Sequence, residues 1–200
     1  MALASFSSID RSVLRWIRTS ESPAEFTLSA GETPVAVLRW KAHGGSLATA
    51  ETASGRWTLK RVGFLNPQIT VRPEGTPETL ARLTAHLNHQ EIALPGGPRF
   101  RLQRAGMLVP AWRITAPNGR EVLHIEPARE GRRLEAGAVL EGDSPVAPEQ
   151  QLLLAVIGWY FIVLVWFEDE ALVALERLEG ADGGPEKPGS GPPSAAATSP

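Results

Sequence analysis

The chain has 200 residues, a formal net charge of −2 and no cysteine. The missing cysteine excludes disulfides and thiolate metal sites and suits a reducing, cytoplasmic setting. The charge is unevenly spread: residues 1–133 hold 18 basic and 11 acidic side chains, a balance of +7, while the remainder balances at −9. Composition changes once, at Gly180, where a Gly/Pro/Ser/Ala-rich stretch begins that lacks the apolar surface to offset its ordering entropy. The expectation is one domain over 1–179 and a disordered tail over 180–200.

Residues 1–10 lack the basic start and apolar run of a secretory signal. Arg11, Arg15 and Arg18 would share a helical face opposite Val13, Trp16 and Ile17, a pattern faintly like a targeting helix. The reading preferred here is an opening strand or helix packed on the domain.

The body then reads as strands. In 35–40, Ala36, Leu38 and Trp40 alternate with Val35, Val37 and Arg39. In 56–62, Trp57 and Leu59 alternate with Arg56, Thr58 and Lys60. A period of two marks a half-buried strand. Further strands are expected at 25–29, 46–52, 68–73, 100–102, 111–116, 121–126 and 133–140, separated by turn signals such as Gly44-Gly45, Ser54-Gly55 and Pro117-Asn118-Gly119. Segment 76–88 suits either a short helix or another strand pair. Many short strands at such spacing predict an antiparallel meander, curled or closed into a barrel.

One segment breaks this rhythm. Residues 152–167 are 16 apolar residues with no polar face, preceded by Pro148 and Glu149, which suit a helix start at about 148. Such a helix needs protein or lipid on all sides. Its apolar run rises about 24 Å, short of a bilayer core of about 30 Å. The flanks are acidic or amide: Glu149, Gln150 and Gln151 before it, Glu168, Asp169 and Glu170 after. A plug for the inside of the curled sheet is preferred to a membrane anchor. The predicted fold class is therefore mostly β, an antiparallel β-barrel or strongly curled sheet enclosing one C-terminal hydrophobic α-helix.

The stretches 31–40, 45–50 and 55–61, with the apolar segment from Leu152 to Tyr160, resemble bacterial members of the tubby C-terminal-like superfamily. That group includes LURP-one-related proteins and phospholipid scramblases, and the resemblance covers roughly residues 12–167. It implies a closed barrel threaded by one apolar helix. Tubby proteins bind phosphoinositides and scramblases are associated with lipid movement. The chain lacks the Cys-rich stretch and Pro-rich arm of scramblases, and no functional residue of the family carries over to it.

Motifs for catalysis are missing: there is no G-x-S-x-G elbow, no G-x-G-x-x-G and no P-loop lysine after Gly44-Gly45-Ser46. His86 and His89, with Glu91 nearby, could share a helical face, but two histidines without a third cluster do not argue a metal site. His43 and His124 stand isolated in the sequence. Arg99 and Arg101 alternate with Phe100 and Leu102 as on an outer barrel face, and Trp40, Trp57, Trp159 and Trp166 fall on apolar faces, so no nucleic-acid partner is expected. In a meander, 34–40 pairs with 46–52 and 46–52 with 56–62, which places Lys60 level with Arg39 at about 10 Å. Arg39, Lys41 and Lys60, with Arg61 at the margin, form the candidate site for phosphate or anionic head groups. The sequence thus predicts a non-enzymatic binding or scaffold module without a cofactor. The alternative is a membrane-anchored, scramblase-like protein using 152–167 as its membrane helix.

Overall fold

A computed structural model describes residues 2–10, 14–42, 44–63, 65–106, 111–130, 133–140 and 146–181. After a 3-10 turn at Phe6–Ser8 come twelve strands: β1 (Leu14–Glu21), β2 (Ala24–Ala30), β3 (Thr33–Trp40), β4 (Ala48–Thr52), β5 (Gly55–Val62), β6 (Gln68–Pro73), β7 (Ala81–Ala85), β8 (Gln90–Ala93), β9 (Arg99–Ala105), β10 (Ala111–Thr115), β11 (Glu121–Glu130) and β12 (Arg133–Leu140). Each pairs antiparallel with its neighbour in sequence, and β1 closes the barrel on β12 through Leu14–Ala138 and Trp16–Ala136. The helix α1 (Pro148–Ala181) follows.

The period-two pattern sorts side chains as read. Trp57 and Leu59 are buried while Arg56 and Lys60 face water. Strand β3 departs at two residues read as outward: Val37 is only 8% exposed, and Val35 is fully buried. Val35 is the extra residue of a bulge opposite Leu28–Ser29, and it joins the core beside Ala36 instead of facing out. The 76–88 segment holds one strand, β7, and its hairpin partner β8 lies beyond it. The opening segment is strand β1, with Trp16 fully buried; Arg11 and Val13 lie outside the described residues.

Helix α1 fills the barrel. Residues 151–164 are buried apart from the half-buried Phe161. Four consecutive residues show the enclosure, because successive helical positions turn by about 100°. Gly158 faces Ile114 on β10 and Ile125 on β11. Trp159 stacks on Trp16 of β1 at 5.9 Å and meets Phe26 of β2 edge-on at 5.4 Å. Tyr160 stacks on Trp40 of β3 at 5.4 Å, and Phe161 meets Trp112 of β10 edge-on at 5.4 Å. One turn of helix therefore meets the wall from β10 and β11 round through β1 and β2 to β3. Pro148–Glu168 has the length and composition to cross a membrane, yet 72% of its most apolar window is buried inside the protein.

The helix is also longer than the expected 148–167. Segment 168–181 is rich in Glu, Ala and Leu, strong helix formers, so the acidic flank after the apolar run continues the helix. Gly180 and Ala181, assigned to the tail by composition, belong to it; the rest of that tail, 182–200, lies outside the described residues. Polar ties along one hairpin hold α1 at the two ends of its enclosed part. Ser54 Oγ donates to Glu149 at 3.1 Å, and Arg61 forms an ion pair with Glu168.

Gly158 offers a graded test of the fit. A Cβ there would stand 2.9 Å from the Ile125 Cδ1 and 3.3 Å from the Ile114 Cδ1, both movable chain ends. Gly158→Ala should fall within about 1 kcal/mol of the parent, since the helix-propensity gain of about 1 kcal/mol opposes the crowding. Gly158→Leu should lose about 2–3 kcal/mol or more. Urea unfolding of both variants checks this; equal stability of the two would contradict a close contact between helix and wall.

Candidate anion-binding site

The four candidate cations do not form one face. Arg39 points outward on β3, directly across from Glu25 of β2, and its Nε lies 2.5 Å from the Glu25 carboxylate, which also accepts the Thr19 hydroxyl at 2.9 Å. Arg39 is thus already neutralised. Arg61 follows Trp57 and Leu59 in the inward phase of β5, but at the barrel mouth, where its guanidinium reaches Glu168 on α1. Both serve the barrel's own framework.

The register also corrects the expected level of Lys60. Arg39 lies opposite Thr49, and Thr49 opposite Thr58, so Thr58 and not Lys60 is level with Arg39. The β3–β4 pairing is offset by one pleat from the even pairing assumed from the sequence. One step beyond the Trp40–Ala48–Leu59 row, the Lys41 N–H donates to the Leu47 carbonyl at 2.9 Å, which brings Lys60 level with Lys41. Two strand spacings separate them, about 10 Å. Both are exposed, and neither has an ion pair among the described residues.

That row continues around the barrel. Lys60 pairs with Thr70, Thr70 with Arg82, Arg82 with Ala93 and Ala93 with Arg99. Cations thus recur on every second strand, with a threonine and an alanine between them. Arg82 is exposed and has no ion pair among the described residues, while Arg99 lies 2.7 Å from Glu91. Sequence reasoning missed Arg82. Placing it needs β7 assigned and its register with β6, whereas 76–88 carries only a short alternation of Ala81, Arg82 and Leu83.

Other candidates resolve differently. His86 and His89 sit at the ends of the β7–β8 turn, not on a helix, and their rings stack at 4.9 Å. Burial, then the positive charge of Arg101 and the neighbouring His86, push His89 below its usual value, and Glu91 opposes them. No three His, Asp or Glu side chains converge on a metal-sized site among the described residues. His89, Glu91, Arg99 and Arg101 line an open groove of about 290 Å³ on the outer face of β8–β10. His124, isolated in the sequence, lies between Glu121 at 3.2 Å and Glu126 at 3.0 Å, and Glu121 also meets Arg113. These form a cross-strand network on the wall of β10 and β11.

Beside Arg61, the Tyr160 phenol donates to the Ser46 carbonyl and so ties the loop after Lys41 to α1. Burial pushes this phenol far above its ordinary value, and the nearby Arg61 charge only partly opposes it. A raised folded-state value means the unfolded chain releases its proton first, so stability is complete below about pH 10 and falls as the pH rises further. Tyr160 is the chain's one tyrosine, which makes the event readable by absorbance. The folded protein should show no tyrosinate at about pH 11, while the urea-unfolded chain should titrate near pH 10. Tyrosinate at the unfolded midpoint in the folded protein would contradict the burial. No family model, curated protein or solved structure matches the chain.

Proposed function

We propose that the protein is a non-enzymatic binding module of tubby-like type, working in the cytoplasm, that holds phosphate-bearing anions on the outer wall of its barrel. The observation that carries this reading is the row formed by Lys41, Lys60 and Arg82. These are three exposed cations at alternate strands, free of carboxylate partners among the described residues. Repeated charge at about 10 Å intervals suits several phosphates better than one. Thr70, 8% exposed between Lys60 and Arg82, leaves the row a low floor between its two charged walls. The barrel enclosing an apolar helix is the architecture the family resemblance implies, and this supports the tubby-like assignment. The burial of 152–164 weighs against the alternative of a membrane-anchored lipid-handling protein.

Titration with inorganic tripolyphosphate, followed by amide chemical shifts, tests the site. Shifts should centre on Lys41, Lys60 and Arg82. The variant Lys41→Ala/Lys60→Ala should bind about tenfold more weakly or worse, since each such cation near an anionic surface contributes about 1 kcal/mol. Binding should also fall steeply with salt. Arg39→Ala should change affinity little, because its charge is held by Glu25. Shifts that avoid the row, or equal loss in the Arg39 variant, would contradict the reading.

A further inference from the structure

Beyond Arg99, where the cation row ends, lies the groove on β8–β10. The line of side chains that crosses it spans four strands. Glu91 of β8 faces Arg101 of β9, Arg101 faces Thr115 of β10, and Thr115 faces Glu121 of β11. All four point outward, because Ile92, Phe100, Ile114 and Val122 beside them fill the core. Acids stand at both ends of the line, yet neither takes Arg101. Glu91 lies 2.7 Å from Arg99, and Glu121 lies 3.2 Å from both Arg113 and His124. Arg101 is exposed and has no ion pair among the described residues. The hydroxyl of the half-buried Thr115 has no hydrogen-bond partner among them either.

The two ends of the groove are less polar. One is the His89 ring, stacked on His86. The other is Pro117 and Gly119 of the β10–β11 turn, which the Ala116 N–H closes on the Arg120 carbonyl at 2.8 Å. Charge then narrows the ligand. Arg99 and Glu91 cancel, which leaves the single positive charge of Arg101. At pH 8 His89 adds none, since its value lies below the ordinary 6.5. A phosphate group carries nearly two negative charges there and would set the second against the Glu91 carboxylate. A carboxylate carries one, and its flat two-oxygen edge matches the flat guanidinium fork. The groove, about 290 Å³, is at the small end of ligand sites, so a single-ring acid fits it better than a larger molecule.

We infer that this groove binds a small organic monocarboxylate, with the Arg101 guanidinium holding the carboxylate in a forked pair and the Thr115 hydroxyl donating to one of its oxygens. The body of the acid lies between the His89 ring and the β10–β11 turn. Glu91 acts as the selectivity element: it silences Arg99 and repels a second negative charge. The site is distinct from the Lys41–Lys60–Arg82 row and does not depend on it.

Amide chemical-shift titrations of the full chain at pH 8, with sodium benzoate and with inorganic phosphate at matched ionic strength, test this. Benzoate should shift Glu91, Arg101, Thr115 and Gly119 and bind there more tightly than phosphate. Arg101→Gln should weaken benzoate about tenfold or more, since a charge-assisted pair is lost. Arg101→Lys keeps the charge without the fork and should lose most of that affinity as well. Glu91→Gln frees Arg99 and should raise phosphate affinity more than benzoate affinity. Lys41→Ala/Lys60→Ala should leave benzoate binding unchanged. Circular dichroism confirms the fold of each variant. Benzoate shifts that avoid the groove, or phosphate binding there more tightly than benzoate, overturn the inference. So does parent affinity for benzoate in Arg101→Gln or Arg101→Lys. None of these results bears on the cation row, which its own tripolyphosphate titration tests separately.

Discussion

A barrel of twelve strands is too wide for its own inward side chains to fill, since about eight strands already give an interior that side chains just close. A helix that is apolar on every side has nowhere to stand in water. Each element is the other's missing solvent, and their mutual burial is the interaction on which the rest of the structure depends. It explains why α1 lacks an amphipathic stripe, because no side of it needs to face water until about Glu168. It also explains the share of the core given to large rings. Trp16, Trp40, Phe26, Trp159 and Tyr160 form one connected aromatic path between wall and plug.

That path has a cost. The indole N–H groups of Trp16, Trp40 and Trp159 have no hydrogen-bond partner among the described residues. A buried unpaired donor costs about 1–3 kcal/mol. Wide flat rings are nevertheless the side chains best able to bridge the gap between a helix and a curved wall, and stacked or edge-on pairs add to their area burial. Where the gap narrows, at β10 and β11, the sequence has Gly158 facing two isoleucines. A missing side chain toward β10 and β11 and large rings toward β1, β2 and β3 thus fit one helical turn to its wall.

Much of this was legible in the sequence, for identifiable reasons. A strict two-residue period in 56–62 fixed which way Trp57 and Lys60 point, and the all-round apolar 152–167 demanded enclosure. What failed was anything depending on register or on a third element. The one-pleat offset of the β3–β4 pairing moved Lys60 from the level of Arg39 to that of Lys41. No local pattern encodes that shift. Arg39 and Arg61 read as free cations because their partners, Glu25 and Glu168, become neighbours only when β2 and α1 are in place. Arg82 was overlooked because short β7 carries too few residues to show its period.

The uneven charge takes on structural meaning once the helix is placed. The basic excess lies in the barrel part of the sequence and the acidic excess in the part that includes α1, and Arg61–Glu168 joins them at the mouth. The central claim is that barrel and helix are one cooperative unit. Its apolar side chains from 152–167 contribute a gross burial on the order of 25 kcal/mol, an upper bound against a net stability of about 5–15 kcal/mol. The most direct measurement is thermal unfolding by circular dichroism and tryptophan emission of a chain lacking residues 148–167. It should show no cooperative transition and solvent-exposed tryptophan; a cooperative transition near the parent midpoint would mean that the barrel stands without its helix.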